Sequence, residues 1–401
     1  MNLRRMRGVL ALVLCLVMTA FVGCTKTPTD PDQDPSNHDT KDVPALSDFD
    51  PEQEYTMPDL SQYDMTQYIQ LGKYRNLSLT LKKSDITITD EAFEERVDTI
   101  IRNHSDAIRV TDRPVAWGDT VIVSYVGKID GTAFDNGSAE DQELTLDEET
   151  AKSYIPGFIR GMEGAMPGEP VDVAVQFPES FRDTTLAGKD AVFTITVSCI
   201  VSWPEMTDEY VAELTDQEYT SAELFLTELR KDMETEAYDN ALYTALWNKI
   251  SENAAVLKYD RNSVLGCYSV YYNMYSFYAK YYGLTYESYL LSAYGMTPEY
   301  LFNLCIQTVK DQMVHYAVFQ SGEFSVSDEE YQSGLRNYIE NNRSSLLSEL
   351  SKNGISDPTE EQITEYTKKT YETAVRNSCL DMIVFRELGQ SAKVTVTEDA
   401  K

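Results

Sequence analysis

The chain has 401 residues, which at roughly 100 to 200 residues per domain predicts two or three domains that bury cores of their own. Its 42% hydrophobic and 25% charged residues are typical of globular proteins and exclude a disordered or multi-span membrane protein. The 66 acidic and 34 basic residues give a net charge of −32, so no nucleic-acid partner is expected, and three isolated histidines argue against a metal site or a His-centred triad.

An export signal is predicted at the start of the chain. Arg4, Arg5 and Arg7 precede an apolar run over 9–22, which is too short to cross a membrane as a mature helix. The run ends in F-V-G-C, which resembles the lipobox of bacterial lipoproteins, where cleavage precedes a lipidated cysteine. We therefore expect residues 1–23 to be a signal peptide and Cys24 to carry a lipid that anchors the protein to a membrane. A plain secretory signal or an uncleaved anchor is the alternative.

Residues 24–68 are rich in Asp, Pro and Thr, a composition that predicts a disordered stalk. Within residues 69–112, Leu77, Leu79 and Leu81 alternate with polar residues, which is the pattern of a half-buried strand. Apolar residues at helical spacing follow. We expect this strand-helix segment to pack with the helical domain that follows later in the chain.

Residues 113–202 have the pattern of a compact antiparallel sheet. Strands are predicted at 121–126, 171–177 and 191–197, with turns at Gly118-Asp119, Asp130-Gly131 and Asn136-Gly137.

Residues 203–401 are predicted to be helical, with capping-box patterns at Thr220 to Glu223 and Ser327 to Glu330. The cysteines at 199, 267, 305 and 379 are widely spaced, so we expect four buried hydrophobic side chains and no disulfide framework.

Several ordered motifs resemble one known family. They are W-G-D-T-V-I-V-S-Y-V-G-K-I-D-G-T-A-F-D-N-G (117–137), Y-I-P-G-F-I-R-G-M-E-G (154–164), F-P-E-S-F (177–181) and L-A-G-K-D-A-V-F-T-I (186–195). Together they resemble the FKBP-type peptidyl-prolyl isomerase domain of trigger factor. The resemblance extends more weakly over 70–390, where the helical region looks like the chaperone arms of trigger factor.

The resemblance implies an α+β fold. An FKBP-like antiparallel sheet domain with a short helix would be joined to an all-α chaperone domain of the trigger-factor or SurA type. The G-F-R-x-G-K loop with which trigger factor docks on the ribosome is absent, so no ribosome docking is expected.

The resemblance also implies a pocket that catalyses rotation about X-Pro bonds. Its residues would be Phe158 as the floor, Tyr125, Phe134, Ile155 and Phe193 as walls, Asp135 beside the twisted carbonyl, and Tyr154 or the Ile155 backbone N–H as a donor at the rim. Phe181 takes the place of a usual tyrosine, Gln142 that of a common aromatic wall, and 147–152 looks like an insertion at the pocket mouth. Periodicity alone favours Tyr125, Phe134, Phe158 and Phe193 as the plain core of a small sheet domain, and Asp135 alone would be a turn residue.

Such a pocket needs no nucleophile, metal or cofactor. Amide resonance holds the X-Pro bond behind a barrier of roughly 18–20 kcal/mol. An apolar cavity lowers this barrier by desolvating the amide and by binding the twisted state more tightly than the planar ones.

Eleven of the 27 tyrosines lie between Tyr268 and Tyr300. Helical spacing places Tyr271, Tyr275, Tyr278 and Tyr282 on one face, which we predict to bind clients because tyrosine offers broad contact at low entropic cost. Packing against neighbouring helices and an aromatic sugar platform are the alternatives. The acid excess indicates a solvated surface, or a preference for basic unfolded clients.

Three functions remain open from the sequence. The first is a lipid-anchored, extracytoplasmic peptidyl-prolyl isomerase and chaperone whose partners are unfolded, newly exported, proline-containing polypeptides. The second is a non-catalytic holdase or adaptor with a vestigial isomerase domain, suggested by Phe181 and Gln142. The third is a surface lipoprotein that binds a solute or glycan.

Overall fold

The computed structural model describes residues 43–398, so the predicted signal peptide and Cys24 lie outside the described residues. This part of the chain forms two compact units, Ile88–Lys231 and residues 43–87 together with 232–398. The predicted α+β class is confirmed, because the first unit contains an antiparallel sheet and the second is mainly helical. No helix within 43–398 has both the length and the apolar composition needed to cross a membrane.

The predicted stalk is wrong for residues 43–68, which pack on the core of the second unit. Short 3-10 turns at Leu46–Asp48, Leu60–Gln62 and Met65–Gln67 order the segment. Leu60 and Met65 are 3% and 0% exposed. Composition did not predict this packing, because the apolar residues of the segment are irregularly spaced and their partners lie two hundred or more positions later. For example, the Phe49 ring lies edge-on to the Tyr268 ring, with 4.9 Å between the centroids. Residues 24–42 of the predicted stalk are outside the described range.

Strand β1 (Ile69–Gln70), strand β2 (Ser78–Lys82) and the short helix α1 (Lys83–Ile86) follow in the second unit. The side chains of Leu79 and Leu81 are buried in the core of this unit, as their alternation with polar residues predicts. The parallel partner of β2 is the last strand of the chain, which begins at Lys393.

Helix α2 (Asp90–His104) starts the first unit, and the Thr89 hydroxyl caps it by accepting from the Ala92 N–H at 3.1 Å. This corrects the prediction that the whole of 69–112 packs with the helical domain. The contacts of α2 within the first unit include two cation-π interactions, with Arg230 over Phe93 at 4.2 Å and Arg102 over Trp203 at 4.8 Å.

The sheet of the first unit has five antiparallel strands around one apolar core. The elements are β3 (Ile108–Val110), β4 (Thr120–Ile129), β5 (Thr132–Thr145), the short helix α3 (Glu148–Lys152), β6 (Pro170–Gln176) and β7 (Asp190–Ser202). The strand order is β3-β7-β4-β5, and β6 also pairs with β7. Val121, Val123 and Ile195 are fully buried because they occupy the inward positions of their strands.

Two predicted turns have different outcomes. Asp130 and Gly131 form the two-residue connection between β4 and β5, with φ of 50° and 79°, as expected for a tight hairpin. Asn136-Gly137 is not a turn, because β5 continues through these two residues as an unusually long bulge. Between the pairs Val126–Ser138 and Lys128–Ala133, β5 has four residues where β4 has only Gly127.

The remaining elements are mostly helices. They are α4 (Asp208–Leu214) in the first unit, α5 (Ala222–Asn253), which passes from the first unit into the second, and then β8 (Ala255–Val256), α6 (Arg261–Tyr281), α7 (Tyr286–Tyr294), α8 (Pro298–Phe319), α9 (Asp328–Asn341), α10 (Arg343–Lys352), α11 (Glu360–Ser391) and β9 (Lys393–Thr397). β8 pairs with β1 and β9 with β2.

The capping box predicted at Ser327 to Glu330 is present at the start of α9. The other predicted box is displaced, since α5 begins at Ala222 and the Ser221 hydroxyl accepts from the Leu224 N–H. Cys199, Cys267, Cys305 and Cys379 are all buried and free, as predicted.

Candidate active site

One cavity of about 210 Å³ in the first unit is lined by all eight residues that the sequence assigned to a catalytic pocket. They are Tyr125, Phe134, Asp135, Tyr154, Ile155, Phe158, Phe181 and Phe193. Because these residues come from β4, β5, the segment after α3, the segment after β6, and β7, only the folded sheet brings them together.

Phe158 is the centre of the aromatic packing, and only 2% of its surface is exposed. Its ring lies edge-on to Tyr125 at 5.1 Å and to Phe193 at 5.0 Å between centroids, and it stacks with Tyr154 at 5.4 Å. Edge-on contacts fix ring orientation because the positive edge of one ring meets the negative face of the next. The expected floor is therefore a rigid apolar surface.

The bulge in β5 builds one wall of the cavity. Residues 134–137 leave the ladder opposite Gly127, and all four line the cavity. A Cβ on Gly127 would lie 2.5 Å from Phe193 and 2.8 Å from Phe134, and one on Gly137 would lie 2.5 Å from Phe134. The two glycines therefore provide the space in which the Phe134 ring stands. Sequence reasoning missed both as site residues, although Gly127 is in the Y-V-G-K motif.

Gln142 joins two tyrosines of the cavity. The Tyr125 hydroxyl donates to Gln142 Oε1 at 3.2 Å, and Gln142 Nε2 donates to the Tyr154 hydroxyl at 2.8 Å. Burial raises the pKa of Tyr125, so its hydroxyl keeps its proton and remains a donor. The residue that departs from the expected aromatic wall thus orients two of the predicted pocket residues.

Donors for a substrate carbonyl are available at the rim. Within residues 43–398 no hydrogen bond uses the Ile155 backbone N–H, and Pro156 favours an extended Ile155. The side chain of Asp135 is exposed beside the cavity. Its role beside the twisted carbonyl stays a prediction.

Phe181 lies against Phe177, with 4.8 Å between ring centroids, and Phe177 contacts Phe134 at 5.7 Å. Phe181 therefore adds apolar wall and no hydroxyl donor. Arg182, Asp183 and Leu186 also line the cavity, and the sequence analysis did not select them. The segment 147–152, expected as an insertion, contains α3, whose start is capped by the Asp147 carboxylate at 2.7 Å from the Thr150 N–H.

The four predicted client-binding tyrosines separate into two pairs. Tyr271 and Tyr275 are 6% and 5% exposed and belong to the core of the second unit, so the prediction that they offer a free surface is wrong. Tyr278 and Tyr282 are 43% and 62% exposed. Tyr275 packs against Tyr289 and Tyr294 of α7, and Met57 packs on α6 beside Gly266.

The exposed end of α6 carries further aromatic side chains. Phe277 and Tyr281 are 68% and 76% exposed, and they form with Tyr278 and Tyr282 what we call the aromatic surface. Exposed apolar surface of this kind is typical of protein-binding sites. Phe277 and Tyr281 lie off the face on which helical spacing places the four predicted tyrosines.

Residues 111–198 match the model of the family described as FKBP-type peptidyl-prolyl cis-trans isomerase. The chain therefore contains an FKBP-type isomerase domain. No group of three or more His, Cys, Asp or Glu side chains in the described part of the chain is placed to hold a metal ion.

The chain is similar to trigger factor. The trigger factor of Staphylococcus saprophyticus is 35% identical over 194 residues, which are 47% of this chain and 43% of that protein. That of Halothermothrix orenii is 31% identical over 221 residues, which are 54% of this chain and 50% of that protein. The chain thus spans about half the length of the curated relatives that it matches. A solved structure of the trigger factor chaperone is 17% identical, with a TM-score of 0.37, over 80% of this chain and 72% of that one.

Proposed function

We propose that this protein is a lipid-anchored, extracytoplasmic peptidyl-prolyl isomerase and chaperone for exported proteins. The observation that carries the proposal is the aromatic cavity that brings together all eight predicted residues, with Phe158 at its centre. An aromatic cavity that takes the amide out of water disfavours its planar, strongly hydrated form, and a rim donor stabilises the twisted carbonyl.

The isomerase proposal is tested with the full-length chain on a short X-Pro peptide and on refolding of a proline-limited protein. Phe158→Ala should lower turnover by about tenfold or more, which corresponds to about 1.4 kcal/mol of lost transition-state stabilisation. Phe93→Ala is the matched control, because it removes the same ring from the same unit outside the cavity. Equal turnover by the Phe158 variant and the unaltered chain would contradict the assignment.

The chaperone proposal rests on the aromatic surface, whose side chains can cover apolar segments of an unfolded chain. Phe277→Ser combined with Tyr281→Ser should weaken suppression of client aggregation while leaving peptide isomerisation unchanged. Leu224→Ser is the control, since Leu224 is 64% exposed and lies outside this surface. A double variant that still suppresses aggregation fully would remove the aromatic surface from the proposal.

The anchoring proposal rests on the basic residues, apolar run and F-V-G-C motif at 4–24. Metabolic labelling with an alkyne palmitate in a bacterial host should label the unaltered chain, and Cys24→Ala should abolish both the label and recovery with membranes. Label that persists in the Cys24 variant would exclude this anchor.

A holdase without turnover remains the second candidate. The specific observation in its favour is Phe181, which packs on Phe177 and offers no hydroxyl to a substrate. Aggregation suppression without acceleration of any X-Pro substrate would select it.

A further inference from the structure

A second and larger groove, of about 780 Å³, lies in the second unit between strand β2 and helix α5. All five residues of β2 line it. The function proposed above does not use this groove, although its volume is in the range of ligand sites.

The side of β2 that faces away from β9 is unpaired. The Lys393 N–H donates to the Leu77 carbonyl at 2.7 Å, and in a parallel ladder alternate residues of a strand bond the same neighbour. The backbone N–H and carbonyl groups of Leu79 and Leu81 therefore form hydrogen bonds with β9. The backbone groups of Ser78 and Thr80 point to the other edge of β2. Within residues 43–398 no hydrogen bond uses the N–H or the carbonyl of Ser78 or Thr80. An edge of this kind is a template for an additional strand.

Helix α5 leaves room for such a strand. Three of its groove-lining residues are alanines, at Ala237, Ala241 and Ala245, and Asn240 and Thr244 add polar groups. The strand is about 13 Å long at 3.3 Å per residue, and the helix from Ala237 to Asn248 is about 16 Å long. The groove therefore fits about five residues of extended chain, whose side chains alternate between solvent and the small residues.

The charges favour one kind of occupant. The groove wall has two basic and two acidic side chains, and one of each, Lys249 and Glu252, form an ion pair at 2.8 Å. The groove itself is thus close to neutral, whereas the whole chain has a net charge of −32. A field of this sign raises the local concentration of basic segments and disfavours acidic ones.

We propose that this groove binds an extended, basic, proline-free segment of an unfolded polypeptide as a third strand on β2. The proposal rests on the chaperone function proposed above and adds a second contact for the same clients. Backbone pairing would give affinity for many sequences, and proline would be excluded because it lacks the N–H that the strand must donate.

The test uses the full-length chain and a fluorescein-labelled decapeptide of alternating Lys and Val, which contains no proline for the isomerase cavity. Thr244→Trp fills the groove from an exposed helix position and should weaken binding at least tenfold. Thr99→Trp makes the same change on the exposed face of α2 and should leave binding unchanged. Hydrogen exchange measured by mass spectrometry should slow at Ser78 and Thr80 when the peptide binds.

Three results would overturn the proposal. The first is unchanged peptide binding by the Thr244 variant, and the second is equal binding of a peptide of alternating Glu and Val. The third is that the unaltered chain is a dimer and the Thr244 variant a monomer, which would make the edge of β2 an interface between two copies. Isomerisation and aggregation suppression are measured on the same samples. If both persist while the groove result is negative, the groove proposal fails and the proposed function stands. If both are absent while the peptide protects Ser78 and Thr80, the groove binds peptide and the proposed function fails.

Discussion

At the scale of single residues, Gln142 shows how a departure from a family pattern can be built into a site. Its amide accepts from one tyrosine hydroxyl and donates to another, so it fixes both across the mouth of the cavity. The bridge is partly buried, where a hydrogen bond is stronger than in water. We interpret Gln142 as a positioning residue. It does not supply an aromatic wall, but it orients the Tyr125 and Tyr154 side chains.

Gln142→Leu should therefore lower isomerase turnover by roughly 3- to 10-fold, because it removes both bonds and leaves the two tyrosine rings free to reorient. Gln142→Glu should recover most of the loss, since both hydroxyls can donate to a carboxylate. The measurement is kcat and KM on a short X-Pro peptide for both variants. Unaltered kinetics in the leucine variant would show that the bridge does not matter for turnover.

At the scale of elements, the positions of glycine decide how closely helices approach. α9 and α11 meet at Gly334, where an added Cβ would lie 2.2 Å from the Cys379 Sγ but 3.8 Å from its Cβ. The sulfur fills the space that a side chain at position 334 would need. Helix periodicity predicts both helices but cannot predict this contact, because the two residues are far apart in sequence.

Gly334→Ala should destabilise the second unit by about 1–3 kcal/mol, because the methyl group forces the two helices apart. Combining it with Cys379→Ala should restore most of that loss, since the remaining Cβ is at ordinary contact distance. Urea unfolding of the two single variants and the double variant measures the coupling. Simple additivity of the two effects would contradict the proposed clash.

At the scale of the whole molecule, residues from three distant parts of the chain meet in the core of the second unit. Asp381 is fully buried; Tyr243 donates to its Oδ2 at 2.9 Å, and His315 Nε2 lies 4.0 Å from its Oδ1. Burial raises the pKa of Asp381 to about 7 and lowers the pKa of His315 to about 4. Near pH 6 both side chains are therefore mostly neutral, as a low-dielectric core favours.

Because the pKa of Asp381 is higher in the folded protein than in the unfolded chain, its contribution to stability is complete below about pH 4 and is lost as the pH rises through 7. Asp381→Asn removes this dependence. The free energy of unfolding of the variant minus that of the unaltered chain should rise by about 2 to 3 kcal/mol between pH 5 and pH 8. The His315 contribution cancels in this difference.

Urea unfolding followed by Trp247 fluorescence, with Trp117 and Trp203 replaced by Phe in both proteins, reports on the second unit where Asp381 lies. A difference that stays constant between pH 5 and pH 8 would show that the folded protein does not raise this pKa.

Local patterns in the sequence predict several elements of the fold and much of the candidate site. The alternation of Leu77, Leu79 and Leu81 predicts β2, the Asp130-Gly131 pair predicts a hairpin, and the ordered motifs predict eight of the residues that line one cavity. These patterns are local in the sequence, or they match the motif spacing of a known family. They can therefore be read without knowing which distant residues are in contact.

The folded structure determines which surfaces are free. It buried Tyr271 and Tyr275 in the core of the second unit, and turned Asn136-Gly137 from a turn into the bulge that forms a pocket wall. It also left the outer edge of β2 unpaired beside a helix of small residues. Each of these features depends on contacts between residues far apart in sequence or on the register between strands. Neither periodicity nor composition contains information about such contacts.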